Sequence, residues 1–131
     1  MSMDINWLAV VAAAVSAFAL GGIWYGPLFK NAWCREAGVD PYSKPPHPAR
    51  VFGSAFVLAL IAAVAFACLL GHAPSLALGL HHGALVGFAF VATSFGINYA
   101  FAQRSLKLWL IDGGYHLLQF VLYGAILGLW H

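Results

Sequence analysis

Charged residues are so sparse along this chain that the apolar stretches between them define its elements. No Asp, Glu, Lys or Arg occurs from Ile5 to Phe29, 25 residues. As a helix that run rises about 37 Å, enough to cross a hydrocarbon core of roughly 30 Å with some tilt. The next uncharged run, Val51 to Gln103, holds 53 residues. As one helix it would reach about 80 Å, so it must fold back once. The breaker cluster Gly71-His72-Ala73-Pro74-Ser75 divides it into two crossings, 51–70 and 76–102. The last run, 108–130, is apolar except for Asp112 and polar uncharged groups. The pattern predicts an all-α integral membrane protein: one domain over 1–131, an antiparallel bundle of four transmembrane helices at about 5–29, 51–70, 76–102 and 108–130. After the first crossing it predicts a short interfacial helix beginning at Pro27 or Leu28. Trp33 lies on its apolar side and Gly38 stops it, followed by Asp40-Pro41 and the stiff segment Lys44-Pro45-Pro46-His47-Pro48.

Composition excludes the common alternatives. Of 131 residues 63% are hydrophobic and 8% charged, where a soluble domain carries about 25% charged. Ten formal charges cannot cover a water-soluble sphere, which removes soluble enzymes and nucleic-acid binders. High hydrophobicity with low net charge also removes a disordered chain. The formal charge of +2 therefore reports orientation. Lys30, Arg35, Lys44 and Arg50 lie in loop 30–50, and Arg104 and Lys107 in loop 103–107. The positive-inside rule makes both loops cytoplasmic and puts both termini outside. Trp7 and Trp130 then fall near the outer boundary and Trp24, Trp33 and Trp109 near the inner one, where indole rings settle. Met1 to Asp4 carries no basic residue, so the first crossing is expected to stay rather than be removed as a signal peptide. Cys34 and Cys68 fall toward opposite faces and do not bridge.

Small residues four apart mark helix contact faces in lipid, where close van der Waals approach replaces the hydrophobic effect. Such ladders run through Ala9, Ala13, Ala17 and Gly21; through Ala55, Ala59, Ala63 and Ala67; through Gly79, Gly83 and Gly87; and through Gly124 and Gly128. The triple glycine is the strongest of these. It serves either packing within the bundle or a contact with a second copy. A faint internal echo relates Gly22-Ile23-Trp24-Tyr25-Gly26 to Gly96-Ile97-Asn98-Tyr99-Ala100 at the inner ends of the first and third crossings.

Polar groups on the fourth crossing carry most of the chemical information. At 100° per residue Asp112, His116, Gln119 and Tyr123 share a stripe about 60° wide, climbing about 16 Å. Facing lipid they would be unsatisfied, so they point into the bundle, a subunit interface or a wet cavity. On an unbroken helical wheel Ser94 and Asn98 share the side of Gly79, Gly83 and Gly87. The expected inner-leaflet cluster is thus Asp112, Asn98, His116 and Tyr25, with Asp112 and His116 meeting through their i, i+4 spacing. Structurally such a cluster fixes helix register. Functionally, an intramembrane Asp and His are the material of proton relays and ion sites.

His72, His81, His82 and His131 gather toward the outer face, but adjacent His81 and His82 point about 100° apart and lack acidic or Cys company, so no metal is expected. No nucleophile elbow, phosphate loop, HExxH or CxxC occurs, and no cofactor is expected.

With Trp24-Tyr25-Gly26-Pro27-Leu28-Phe29, Trp33, Ile97-Asn98-Tyr99, Ser105-Leu106-Lys107-Leu108, Ile111-Asp112-Gly113-Gly114-Tyr115 and Gly128-Leu129-Trp130, nearly the whole chain resembles the small bacterial membrane proteins grouped as the domain of unknown function numbered 1761. Trp24, Tyr25, Pro27, Trp33, Asn98 and Asp112 are similar to that family's pattern. The resemblance implies a four-span protein of the cell inner (cytoplasmic) membrane and brings no activity or cofactor. The expected function is a non-enzymatic membrane protein working as a homo-oligomer or as an accessory subunit of a larger membrane complex. Its partners are the lipid bilayer and other membrane proteins, not nucleic acid. The alternative is a proton-coupled small transporter or ion pathway using Asp112 and His116.

Overall fold

Helices begin in this chain where a side chain takes up a backbone N–H that the first turn leaves unpaired. The Asn6 side chain accepts from the Ala9 N–H at 3.1 Å, Ser75 from Leu78 at 3.0 Å and Ser105 from Leu108 at 3.1 Å. Pro48, which has no N–H to leave unpaired, opens the second crossing. The computed structural model describes residues 5–40, 42 and 47–130. In chain order these form α1 (Trp7–Ile23), a π-helical turn (Trp24–Leu28), α2 (Lys30–Ala37), α3 (Pro48–Leu70), α4 (Leu76–Ala84), a π-helical segment (Leu85–Ala92), α5 (Thr93–Phe101) and α6 (Leu106–Leu129). Four continuous rods, Trp7–Leu28, Pro48–Leu70, Leu76–Phe101 and Leu106–Leu129, are long and apolar enough to cross a membrane. The chain is therefore an all-α bundle of the membrane-spanning kind, its breaks falling at Gly71–Ser75 and near Gln103.

The short helix after the first crossing starts later than Pro27 or Leu28. Pro27 lies inside the π-helical turn, where the Phe29 N–H reaches back to the Trp24 carbonyl at 2.9 Å. The wider turn carries the first crossing past the proline. Phe29 then leaves helical geometry (φ −127°, ψ 12°), and the chain restarts as α2 at Lys30. Gly38 ends α2 in the left-handed region at φ 75°, with the Val39 N–H on the Cys34 carbonyl at 2.9 Å, a stop that glycine makes at low cost. The expectations for Met1–Asp4, for the Asp40-Pro41 junction, for 44–46 of the proline-rich segment and for His131 fall on or against residues outside the described ones.

One helix organises the others. In α6, 44% of the spanning window is buried inside the protein, against 17% in α3. Its partner across the closest seam is the third crossing. A Cβ built on Gly79 would land on the Gly124 carbonyl, one on Gly83 on the Phe120 carbonyl, one on Gly87 within 2.8 Å of the Leu117 Cα, and one on Gly128 within 2.8 Å of the Leu76 Cα; a Cβ on Gly124 would in turn land on the Gly79 carbonyl. All five glycines thus serve backbone approach between these two helices of one chain. On the other side α6 meets α1, whose Ala9, Ala13 and Ala17 are fully buried. Next to the start of α1 and the end of α6 the Asn6 amide donates to the Trp130 carbonyl at 3.3 Å, tying the first crossing to the last.

The second crossing is attached by one half only. Ala63, Phe66 and Leu70 of α3 join the core, with the Phe66 ring 5.7 Å from Phe120. From Val51 to Leu58 every residue but Phe56 is exposed, and the Phe56 ring rests on Phe18 at 5.4 Å. Of the ladder Ala55, Ala59, Ala63 and Ala67, only Ala63 is buried.

The glycine seam gives a direct test. Gly79→Ala puts a methyl group against backbone that cannot rotate away, and overpacking of this kind costs about 1–3 kcal/mol. Gly22→Ala, at a glycine with nothing within 4 Å of an added Cβ, is the control. Unfolding in detergent should show the loss for Gly79→Ala and no loss for Gly22→Ala.

Candidate functional site

Asp112 sits about two turns into α6, facing the C-terminal ends of the first and third crossings. It is buried, at 7% exposure. A carboxylate at this depth without partners costs several kcal/mol. Two phenols remove that cost: the Tyr25 hydroxyl donates to Oδ1 at 2.6 Å and the Tyr99 hydroxyl to Oδ2 at 2.5 Å. Each oxygen therefore has its own short-range donor, one from each neighbouring crossing.

Aromatic rings close the site. Tyr25 packs edge-on to Trp33 at 5.7 Å and tilted against Tyr115 at 5.4 Å, and Tyr99 packs on Phe95 at 5.7 Å. Indole and phenol donors then pin the helices by their backbones. Trp24 Nε1 donates to the Ile111 carbonyl at 2.8 Å, Trp109 Nε1 to the Ala92 carbonyl at 2.8 Å, and the Tyr115 hydroxyl to the Ala17 carbonyl at 2.9 Å. Trp24 and Trp109, expected to anchor the chain among headgroups, thus spend their N–H groups inside the protein.

The rest of the stripe forms a second, separate network. The Tyr123 hydroxyl donates to the Ala59 carbonyl at 2.9 Å, which only accepts. Its oxygen must then accept from Gln119 Nε2 at 2.8 Å, and this fixes the amide so that Gln119 Oε1 faces His116 Nδ1 at 2.7 Å. Because Oε1 accepts, Nδ1 carries the proton. The imidazole stacks on Phe95 at 4.9 Å and 17°. Asp112, His116, Gln119 and Tyr123 do share one face of α6, but the described hydrogen bonds of Asp112 go to Tyr25 and Tyr99 and that of His116 goes to Gln119. The expected direct meeting of Asp112 and His116 is replaced by two parallel networks.

Two residues expected in the cluster stand elsewhere. Asn98 and Ser94 are exposed, and the Ser94 hydroxyl donates to the Phe90 carbonyl of its own helix at 2.6 Å. The cause lies in the backbone between them and the glycines. Counting 100° per residue, Asn98 falls about 20° from Gly87 and Tyr99 about 120° away. The π-helical segment Leu85–Ala92 accommodates an extra residue, and everything beyond it turns by one position. Ala92 becomes buried and Tyr99, instead of Asn98, reaches Asp112. The segment's carbonyls are taken up by Thr93 (Ala89 at 2.9 Å, Phe90 at 3.2 Å), Ser94 and Trp109. Tyr99 is the site residue that sequence reasoning missed. Its signal was the internal echo, which aligns Tyr25 with Tyr99: the two matched tyrosines hold the two oxygens of one carboxylate.

His72, His81 and His82, three of the four histidines expected to gather, do not converge. The His81 and His82 rings are 5.6 Å apart, and His82 Nδ1 lies 3.1 Å from the Leu78 carbonyl of its own helix. Among the described residues no group of three or more His, Cys, Asp or Glu side chains is placed to hold a metal ion. Cys34 and Cys68 are free thiols.

The family described as "Protein of unknown function (DUF1761)" matches residues 8–128 of the chain, and the protein belongs to that family. No curated protein and no solved structure matches it.

The register shift makes a prediction. Deleting Phe90, a residue exposed to 62%, should let the third crossing run as unbroken α-helix with Tyr99 still on Asp112. In both the full-length and the shortened protein, Tyr99→Phe should then cost about 1–3 kcal/mol in detergent unfolding. Asn98→Ala should change stability by no more than about 0.5 kcal/mol. A shortened protein in which Asn98→Ala becomes the costly change would contradict the register.

Proposed function

We propose that this member of the family is a non-enzymatic protein of the cytoplasmic membrane that works as an oligomer or as an accessory subunit of a larger membrane assembly. Both termini face outward and loops 30–50 and 103–107 face the cytoplasm, as the distribution of Lys and Arg requires.

The observation that carries this reading is the unpartnered inner half of α3. Ala49, Gly53 and Val57 stand four apart on one face, lining a shallow outward notch with Arg50, Ser54 and Leu58. Nothing lies within 4 Å of a Cβ added at Gly53. Ala49 and Gly53 at this spacing let another helix approach closely, and among the described residues no helix does so. The polar groups support the same reading. Both oxygens of Asp112 are taken by phenols, and the His116–Gln119–Tyr123 chain ends on the Ala59 carbonyl. A backbone carbonyl cannot pass a proton onward, so this chain is a clasp between α6 and α3 rather than a relay. Proton-coupled transport through Asp112 and His116 would need a polar path that the described residues do not provide.

Chemical cross-linking and mass measurement in mild detergent test the proposal. The native protein should run as a discrete oligomer or hold a membrane partner, and Gly53→Leu should release it as a monomer whose thermal stability is unchanged. Proteoliposomes of the native protein should show no pH-driven flux. Flux that disappears in Asp112→Asn, or a native protein that is monomeric and partnerless, would overturn the reading.

A further inference from the structure

The first and second crossings part company toward the membrane face that carries the Lys and Arg residues, and a cavity of about 500 Å³ opens between them. One wall is Phe18, Gly21, Gly22, Tyr25 and Gly26 of the first crossing. The other is Phe52, Ala55 and Ala59 of α3, with Tyr115 of α6 at the back. Its size is that of sites that enclose a small apolar ligand. It exists because side chains are missing on both walls: a Cβ at Gly22 or Gly26 would meet nothing within 4 Å.

Its chemistry is narrow. The two phenols that line it have turned their hydroxyls away, Tyr25 to Asp112 and Tyr115 to the Ala17 carbonyl. Ring faces and aliphatic carbon make up most of what remains, so the wall is predominantly apolar. Because it lies between membrane-spanning segments, water and soluble metabolites do not reach it, and a hydrocarbon chain matches it. A charge follows the first wall: Lys30, which opens α2 four residues beyond Gly26, is exposed. Cations at the end of an intramembrane groove recognise anionic headgroups.

We propose that this groove is a binding site for one anionic phospholipid, an acyl chain lying between the first and second crossings and the phosphate facing Lys30. The site uses the Phe52, Ala55 and Ala59 side of α3, whereas the oligomer notch uses the Ala49, Gly53 and Val57 side. The inference is thus independent of the assembly proposed above. A bound chain supplies the packing that the inner half of α3 lacks within the protein. It also lies against the ring of Tyr25, one of the two donors to Asp112.

Native mass spectrometry of the full chain from nanodiscs of phosphatidylglycerol and phosphatidylcholine with identical acyl chains tests the site. The protein should retain one phosphatidylglycerol in preference to phosphatidylcholine. Gly22→Leu and Ala55→Leu, on opposite walls, should each lower retention about tenfold, which is what excluding roughly two methylenes is worth. Neither should lower the melting temperature in lipid-free detergent. Lys30→Gln should keep a lipid in the groove while reducing the preference for phosphatidylglycerol about fivefold, whereas Arg50→Gln, on the notch side of α3, should leave that preference unchanged. Retention unchanged in both wall variants would overturn the proposal. Equal retention of the two lipids by the native protein would overturn its anionic half. A wall variant that also fails to fold is replaced by the other, since the walls belong to different helices.

Discussion

Inside hydrocarbon a polar atom has only the protein to bond to, and this protein answers that constraint with aromatic donors. Phenol and indole side chains suit the task because each carries one N–H or O–H at the end of a rigid apolar body. Tyr25 and Tyr99 saturate Asp112. Trp24, Trp109, Tyr115 and Tyr123 reach carbonyls whose second lone pair the helix leaves open. Every one of these bonds crosses between two spans, and every one has α6 at one end. The last crossing is therefore joined to the other three by hydrogen bonds as well as by packing, and the rest of the bundle is placed relative to it.

The two sides of α6 are built differently. Toward the third crossing, five glycines bring backbones together and leave no room for adjustment. Toward the first, alanines and rings make a looser contact that opens into the groove at the end bearing the Lys and Arg residues. The second crossing is held mainly at its C-terminal half, through Phe66 and the Tyr123 bond to Ala59. This gradient in packing leaves the N-terminal half of α3 with two free faces, one toward the groove and one toward the notch.

The sequence made the crossings legible because a charge inside hydrocarbon is so unfavourable that uncharged runs mark the spans directly. The glycine spacing likewise marked the seam between the third and fourth crossings. The partners of Asp112 were half legible. Tyr25 follows from depth alone, but Tyr99 depends on one extra residue absorbed between Gly87 and Ala92. A wheel of fixed pitch turns the wrong way beyond such an irregularity and selects Asn98. Nothing in the local composition of Leu85–Ala92 marks the wider turn. The internal echo marks it indirectly, because equivalent tyrosines at the ends of two crossings are placed to serve one acceptor. The groove was not legible at all, since it arises from the divergence of two helices and not from any motif.

The central claim is that two phenols from different crossings jointly satisfy the carboxylate of α6. Double-mutant cycles in detergent unfolding, pairing Asp112→Leu with Tyr25→Phe and with Tyr99→Phe, measure it most directly. The account predicts a coupling of about 1–3 kcal/mol in each cycle, both tyrosine changes becoming nearly neutral once the carboxylate is gone. Additive losses with no coupling to either tyrosine would contradict it.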